Sequence, residues 1–179
     1  MTPAELKHYL THNATTNGLT NMAANGIICW LLIKDKGVVT WWGASNFGGD
    51  LLATGFILPF IVALIVIPLQ RSKVRKGKVA GIGSDAVPAT FRRWLAMPSN
   101  LWARAAIFGL VGMLLVAGPT LVLLAAVGVA EFSPLSYAVF KGVWAGILAA
   151  LLVLPMIIVA LHDGLLQAST SPELAAKKS

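Results

Sequence analysis

The stretch from Asn46 to Arg71, NFGGDLLATGFILPFIVALIVIPLQR, decides the fold class. Apart from Asp50 it contains no charged residue before its final arginine. About 20 consecutive apolar residues are enough for a helix to cross the hydrocarbon core of a bilayer. Asn46 can cap such a helix, and Pro59 and Pro68 predict local kinks that membrane helices tolerate. The stretch therefore predicts a transmembrane helix.

The composition of the whole chain agrees with this interpretation. The sequence has 179 residues, of which 57% are hydrophobic and 12% are charged, and its mean hydropathy is +0.78. A soluble domain carries about 25% charged and 45–50% apolar residues. These values exclude an ordinary soluble globule and a disordered chain, and the length fits one domain.

Three more segments reach spanning length, at residues 14–33, 100–127 and 134–161, beside the first at 46–69. We expect an all-α membrane protein with four transmembrane helices in a single domain, 1–179. Thr2-Pro3-Ala4-Glu5 reads as a capping box, which predicts a short interfacial helix over residues 1–12. Residues 71–99 form a basic loop and residues 162–179 a tail.

The basic residues predict the orientation in the membrane. Eight of the 14 lie in or beside the loop between the second and third spans: Arg71, Lys73, Arg75, Lys76, Lys78, Arg92, Arg93 and Arg104. The positive-inside rule makes this loop and both termini cytoplasmic, in a multi-pass protein of the cell inner (plasma) membrane. The net charge of +7 is thus a matter of topology, and no nucleic-acid partner is expected. Residues 87–97 suit either a surface helix at anionic lipid headgroups or a solvated linker.

The two halves of the chain align without gaps at an offset of 91 residues. Eleven positions are identical over the 58 from Asn13 to Gln70. Each half contains an even pair of spans, so the alignment predicts two parallel hairpin repeats related by an axis along the membrane normal. Chance matches between apolar sequences are the alternative.

Each hairpin ends in an apolar run followed by a polar or basic exit, as in VIPLQRSKVR over residues 66–75. In this the chain resembles uncharacterised bacterial small inner-membrane proteins built from two-helix hairpins, whose second helix ends on proline and then arginines. The resemblance covers residues 18–75. It implies a hairpin fold in the inner membrane and brings no activity with it.

Asparagines recur every four residues in the first span, at Asn13, Asn17, Asn21 and Asn25. A spacing of four advances a helix by about 400°, so these side chains form one gently winding stripe. Amides are poorly satisfied against lipid, and the stripe must face protein or a watery cavity. It is either the wall of a polar pathway or ligand site, or hydrogen-bonding glue between helices.

Small residues recur at the same spacing in the fourth span: Ala138, Gly142, Gly146 and Ala150. Small side chains let two helix backbones approach closely, so this face predicts helix packing, within one subunit or between subunits.

Asp50 and Lys141 are charges placed early in their spans, at positions separated by the repeat offset of 91. Ionisable residues at membrane depth are functional candidates by default. They either pair across the repeat axis, or act as a helix-dipole charge and a snorkelling lysine. Thr54 lies one turn beyond Asp50, at about the depth of Asn25, and these side chains are predicted to share one polar layer.

No catalytic constellation, cofactor motif or metal-ligand spacing is recognisable, so we expect no enzyme activity, no cofactor and no metal. The leading hypothesis is a homo-oligomeric channel or transporter for an ion or small polar solute. Its predicted polar lining is Asn17, Asn21, Asn25, Asp50, Thr54 and Lys141. The alternative is a non-catalytic accessory subunit that docks into a larger membrane complex.

Overall fold

The computed structural model describes residues 1–169 and is mostly helical. Its helices are α1 (Pro3–Ile33), α2 (Phe47–Arg75), α3 (Leu101–Gly112), α4 (Gly118–Ala126) and α5 (Pro134–Ser169), with short strands β1 (Val39–Thr40) and β2 (Glu131–Phe132). Three stretches of this part are long and apolar enough to cross a membrane: Phe47–Arg75, Leu101–Ala126 and Pro134–Ala168. The prediction of a mostly helical protein is confirmed, and three of the four predicted spans are long and apolar enough to cross a membrane. The end of the predicted tail lies outside the described residues.

The first helix differs from the prediction, because α1 is one continuous helix and no separate interfacial helix precedes it. The predicted boundary near residue 13 is wrong, because the helix continues through Asn13, whose amide donates to the carbonyl of Tyr9 one turn earlier. The capping box is confirmed at the start of the helix, where Thr2 and Glu5 bond reciprocally. These hydrogen bonds from Thr2 lower the pKa of the Glu5 carboxyl.

The third predicted span is helical throughout but changes its winding near its middle. A π-helical turn, Met113–Ala117, joins α3 to α4. Pro119 has no N–H for the regular ladder, and just before it the N–H of Gly118 reaches back five residues to the carbonyl of Met113. The proline therefore falls beside a π turn, a known cause of helix bending.

The helices pack in the order α1, α5, α2, and then α3 with α4. Helix α5 is central and contacts both α1 and α2 along much of their length, while α3 packs against the far side of α2. Helices α1 and α2 both lean on α5 but scarcely touch each other. This arrangement leaves a groove between α1 and α2.

The small-residue face of α5 is what allows α1 to pack so closely. A Cβ atom added at Gly146 would lie 2.9 Å from the carbonyl oxygen of Gly18, and one added at Gly142 would lie 2.9 Å from that of Met22. The close contact continues one turn further along α5 at Ala150, since a Cβ at Gly18 would lie 3.1 Å from Ala150 Cβ. In this chain the face is thus used within the subunit.

The connections at one end of the bundle are tied together by strands and aromatic rings. Val39 pairs with Phe132 and Thr40 with Glu131 in an antiparallel ribbon. The indole N–H of Trp41 donates to the carbonyl of Val129 at 2.7 Å. The hairpin loops of the two halves are therefore joined to each other.

The opposite end holds a partly buried charge cluster. Arg71 on α2 and Arg104 on α3 both donate to the carboxylate of Asp163 on α5, with Arg71 Nη2 at 2.5 Å from Asp163 Oδ2. The Arg104 side chain is only 4% exposed. Two of the residues assigned to the basic loop are thus structural partners of one carboxylate, which joins three helices.

The basic loop itself folds back onto the helices. Its longest ordered piece is a 3₁₀ helix, Ala89–Ala96, and the ring of Trp94 stacks on that of Phe108 with centroids 5.0 Å apart. Ile82 and Val87 are fully buried. Part of residues 71–99 is therefore packed structure and not a solvated linker.

Candidate functional site

The groove between α1 and α2 contains a cavity of 480 Å³. Its lining residues are Asn17, Asn21, Asn25, Asp50, Ala53, Thr54, Ile57, Leu58, Ile61, Val62, Ile65 and Val66. The asparagines come from α1 and the others from α2. The volume lies within the range of about 300–1,000 Å³ that is usual for small-molecule sites.

The asparagine amides bond to their own helix and not to a neighbouring one. Asn17, Asn21 and Asn25 each donate from Nδ2 to the carbonyl oxygen four residues earlier, at 2.8–3.0 Å. A carbonyl oxygen only accepts, so the amide nitrogen must be the atom beside it. The Oδ1 atoms of these three side chains accept no hydrogen bond from residues 1–169. The stripe therefore presents hydrogen-bonding capacity to the cavity.

Asp50 lies at one end of the cavity in an ion pair with Lys141. Lys141 Nζ is 2.6 Å from each carboxylate oxygen. The hydroxyl of Tyr137, one turn earlier on α5, donates to Asp50 Oδ2. The Lys141 side chain is 12% exposed and that of Asp50 34%. The carboxylate thus ties α2 to α5 and keeps one side towards the groove.

A second cavity of 420 Å³ lies on the other side of this ion pair, towards the strands. It shares Asp50 and Ala53 with the first cavity, and Lys36, Ser45 and Lys141 also line it. The Asp50–Lys141 pair consequently stands between the two cavities, as a polar partition in one groove.

The other end of the groove is bridged by amide and phenol groups. The hydroxyl of Tyr9 donates to Gln70 Oε1 at 2.5 Å, and Gln70 Nε2 donates to Asn13 Oδ1 at 3.4 Å. Gln70 is only 2% exposed. These contacts join α1 to α2, and Asn13 belongs to this bridge and not to the cavity.

The structure brings the predicted polar residues together. Five of the six line the 480 Å³ cavity, and the sixth, Lys141, reaches it by bonding to Asp50. Sequence reasoning missed the bridge of Tyr9 and Gln70, and also Tyr137. The spacing of Tyr137, four residues before Lys141, places both on one helix face and was the available signal.

Within residues 1–169 no group of three or more His, Cys, Asp or Glu side chains is arranged to hold a metal ion. No family model, curated protein or solved structure matches this chain.

Proposed function

We propose that the protein is a small membrane carrier that takes a solute into the groove between α1 and α2. The observation that carries this proposal is the 480 Å³ cavity, which Asn17, Asn21 and Asn25 line together with Asp50 and Thr54. Polar groups at membrane depth are expensive to maintain, and they mark substrate pathways more often than other positions do.

The proposal makes α1 the fourth transmembrane helix. Its asparagines keep its hydropathy low, but it lies against α5, which is itself long and apolar enough to cross a bilayer. The close contacts at Gly18 and Gly26 are eight residues apart, about 12 Å along the helix. Because α1 is held so closely to α5 over this distance, we expect α1 to cross the membrane together with α5.

The basic end of the bundle then faces the cytoplasm. The start of α1, the end of α2 and the end of α5 all meet at this end, through Tyr9, Gln70 and Asp163. In intact cells, Ser84→Cys should resist an impermeant maleimide, whereas Ala44→Cys at the opposite end should react, both in a Cys29→Ser background. Labelling of Ser84→Cys alone would contradict this orientation.

Contacts at the 91-residue offset support the proposed repeat. A Cβ atom at Gly55 would lie 3.2 Å from Met113 Cα, and one at Gly146 would lie 3.4 Å from Met22 Cα. Adding 91 to Gly55 and Met22 gives the partners in the other half. Thr40–Glu131 and Asp50–Lys141 are contacts between equivalent positions, as an axis between the halves requires.

The second half carries a plug where the first has its cavity. Ala53 lines both cavities, and its equivalent is Trp144, which is buried and donates from Nε1 to Thr120 Oγ1 at 3.0 Å. Thr120 is in turn the equivalent of Cys29. One pseudo-symmetric groove is thus filled by an indole, and the other is left open for a ligand.

A carrier fits the groove better than a permanently open channel, because side chains restrict both of its ends. Gln70 joins α1 to α2 at one end, and at the other the Asp50–Lys141 pair, which joins α2 to α5, stands between the two cavities. One chain suffices to form this groove, and homo-oligomerisation stays a prediction.

The second candidate is an accessory subunit in a larger membrane complex. It is favoured by the exposed isoleucines Ile57, Ile61 and Ile65 on α2 at the edge of the groove, since a helix of a partner would cover such a row. In that case the groove would be dry.

Cysteine accessibility distinguishes the two candidates. In Cys29→Ser protein reconstituted in liposomes, we expect Asn21→Cys to react with a charged, water-soluble thiol reagent. The matched control is Ile28→Cys, on the same helix and exposed on its outer surface, which should not react. If Asn21→Cys is as unreactive as Ile28→Cys from both sides of the membrane, the carrier proposal is wrong.

A further inference from the structure

The cavity between α1 and α2 has two unlike walls. The α1 wall presents the amides of Asn17, Asn21 and Asn25, which span about 12 Å of helix. The opposite α2 wall presents branched aliphatic side chains, including Ile57 and Ile61. A ligand that fits both walls has a polar edge and an apolar body.

The polar wall offers more acceptors than donors. Each amide uses one N–H on its own helix, so one N–H and both lone pairs of Oδ1 remain for a ligand. A polar group that donates hydrogen bonds can therefore be satisfied along the whole stripe, whereas one that only accepts finds half as many partners.

The charges around the cavity also favour a head group that is not anionic. None of the residues that line it is basic. The ammonium group of Lys141, next to the cavity, is held by both oxygens of Asp50. An anionic head group would meet amide oxygens and a carboxylate with no free positive charge, while a neutral or cationic one meets no repulsion.

The groove is open along one side, on the outer surface of the helix bundle. The edge of this side is formed by exposed isoleucines of α2, at 51% for Ile57, 47% for Ile61 and 59% for Ile65. Helix α2 is apolar enough to lie in a bilayer. Gln70 bridges α1 and α2 at one end and the Asp50–Lys141 pair separates the cavity from its neighbour at the other, while the side between α1 and α2 is left open. A ligand that is itself dissolved in the bilayer can use this route.

We propose that the ligand of this groove is an amphiphile whose head group donates hydrogen bonds, either a hydroxyl or an ammonium group, on an apolar body. The inference deepens the proposed carrier function and rests on it. It identifies Asn17, Asn21 and Asn25 as the residues that select the head group, and the α2 wall as the surface that holds the apolar body.

The test compares three spin-labelled probes of one chain length: an alcohol, an amine and a fatty acid. Each is added to liposomes that contain the protein at pH 8, where the carboxyl is ionised, and electron paramagnetic resonance measures the motionally restricted fraction. We expect the alcohol, the amine or both to bind about tenfold more tightly than the fatty acid, because one or two donated hydrogen bonds are lost with the carboxylate. Comparing alcohol with amine identifies which donor is preferred.

Variants assign the binding to the groove. Ala53→Trp places in the first half the indole that the second half carries at Trp144, and it should abolish the restricted component of every probe. Ala125→Trp, at an exposed position of α4, is the matched control. Asn21→Leu should remove the head-group preference, whereas Thr20→Leu, at an exposed neighbouring position outside the cavity lining, should keep it.

Two results would overturn the inference. One is equal or tighter binding of the fatty acid, and the other is a restricted component that Ala53→Trp leaves unchanged. If either result occurs while Asn21→Cys still reacts with the water-soluble thiol reagent, the carrier proposal stands and only the ligand class is wrong. If Asn21→Cys is unreactive as well, both proposals fail.

Discussion

Separating Asp50 from Lys141 is the most informative perturbation of the fold. Lys141 is 12% exposed and has both oxygens of one carboxylate within 2.6 Å. Asp50→Asn leaves this ammonium with no opposite charge in a nearly dry place. Breaking a buried pair in this way costs about 3–5 kcal/mol. Because this pair is partly exposed, we expect the free energy of unfolding to fall by about 3 kcal/mol, at the lower end of that range.

Removing the other partner should be less harmful. In Lys141→Met, the Asp50 carboxylate keeps the hydrogen bond from the Tyr137 hydroxyl and its access to the groove, since its side chain is 34% exposed. We expect a loss of about 1–2 kcal/mol, between the values for exposed and buried pairs. The double variant should lose less than the sum, with a coupling of about 2 kcal/mol.

The assay is equilibrium unfolding in mixed micelles, followed by tryptophan fluorescence. Lys36→Met is the control: Lys36 lines the second cavity, is exposed, and its ammonium group bonds to no described residue. The free energy of unfolding of this variant should differ from that of the wild type by less than about 0.5 kcal/mol. Exchanging the charges, Asp50→Lys with Lys141→Asp, should recover part of the loss. Strict additivity of the two single variants would show that Asp50 and Lys141 do not stabilise each other.

Two further variants test the packing of the bundle. Gly146→Ala should lower the free energy of unfolding by about 1–3 kcal/mol, because the added Cβ would lie 2.9 Å from the backbone of α1. Gly118→Ala is the control and should change the free energy of unfolding little, since the nearest atom to its Cβ would be 3.6 Å away. Equal losses for the two variants would argue against a close-packed face. Asp163→Asn should lower the free energy of unfolding by about 3–5 kcal/mol, because it leaves the buried guanidinium of Arg104 without an opposite charge. Arg93→Gln, on the exposed part of the loop, is the control and should leave the free energy of unfolding nearly unchanged. An unchanged stability of Asp163→Asn would show that the charge cluster does not stabilise the fold.

Much of the fold follows from local signals in the sequence. The apolar run from Asn46 to Arg71 has the length of a span, and the recurrence of small residues around Gly146 marks the face that another helix approaches. Such patterns are properties of one helix and need no knowledge of its partners. The helix boundaries are less visible: α1 continues through Asn13, since an amide bonded to its own backbone does not end a helix.

The site was only partly visible from the sequence. The four-residue spacing of the asparagines places them on one face, and the offset of 91 brings Asp50 near Lys141. Bonds between distant positions, such as Tyr9 with Gln70 and Arg104 with Asp163, depend on which helices become neighbours. Nothing in the local sequence specifies that order.

Solute flux is the most direct measurement of whether a solute enters the groove between α1 and α2 and crosses the membrane through it. Stopped-flow light scattering on proteoliposomes measures the permeation of a panel of small polar and donor-headed amphiphilic solutes, for the wild type, Ala53→Trp and Ala125→Trp. At least one solute should cross faster with the wild type and Ala125→Trp than with Ala53→Trp, for which the rate should fall to that of empty liposomes. Identical rates for the wild type, Ala53→Trp and empty liposomes over the whole panel would contradict it.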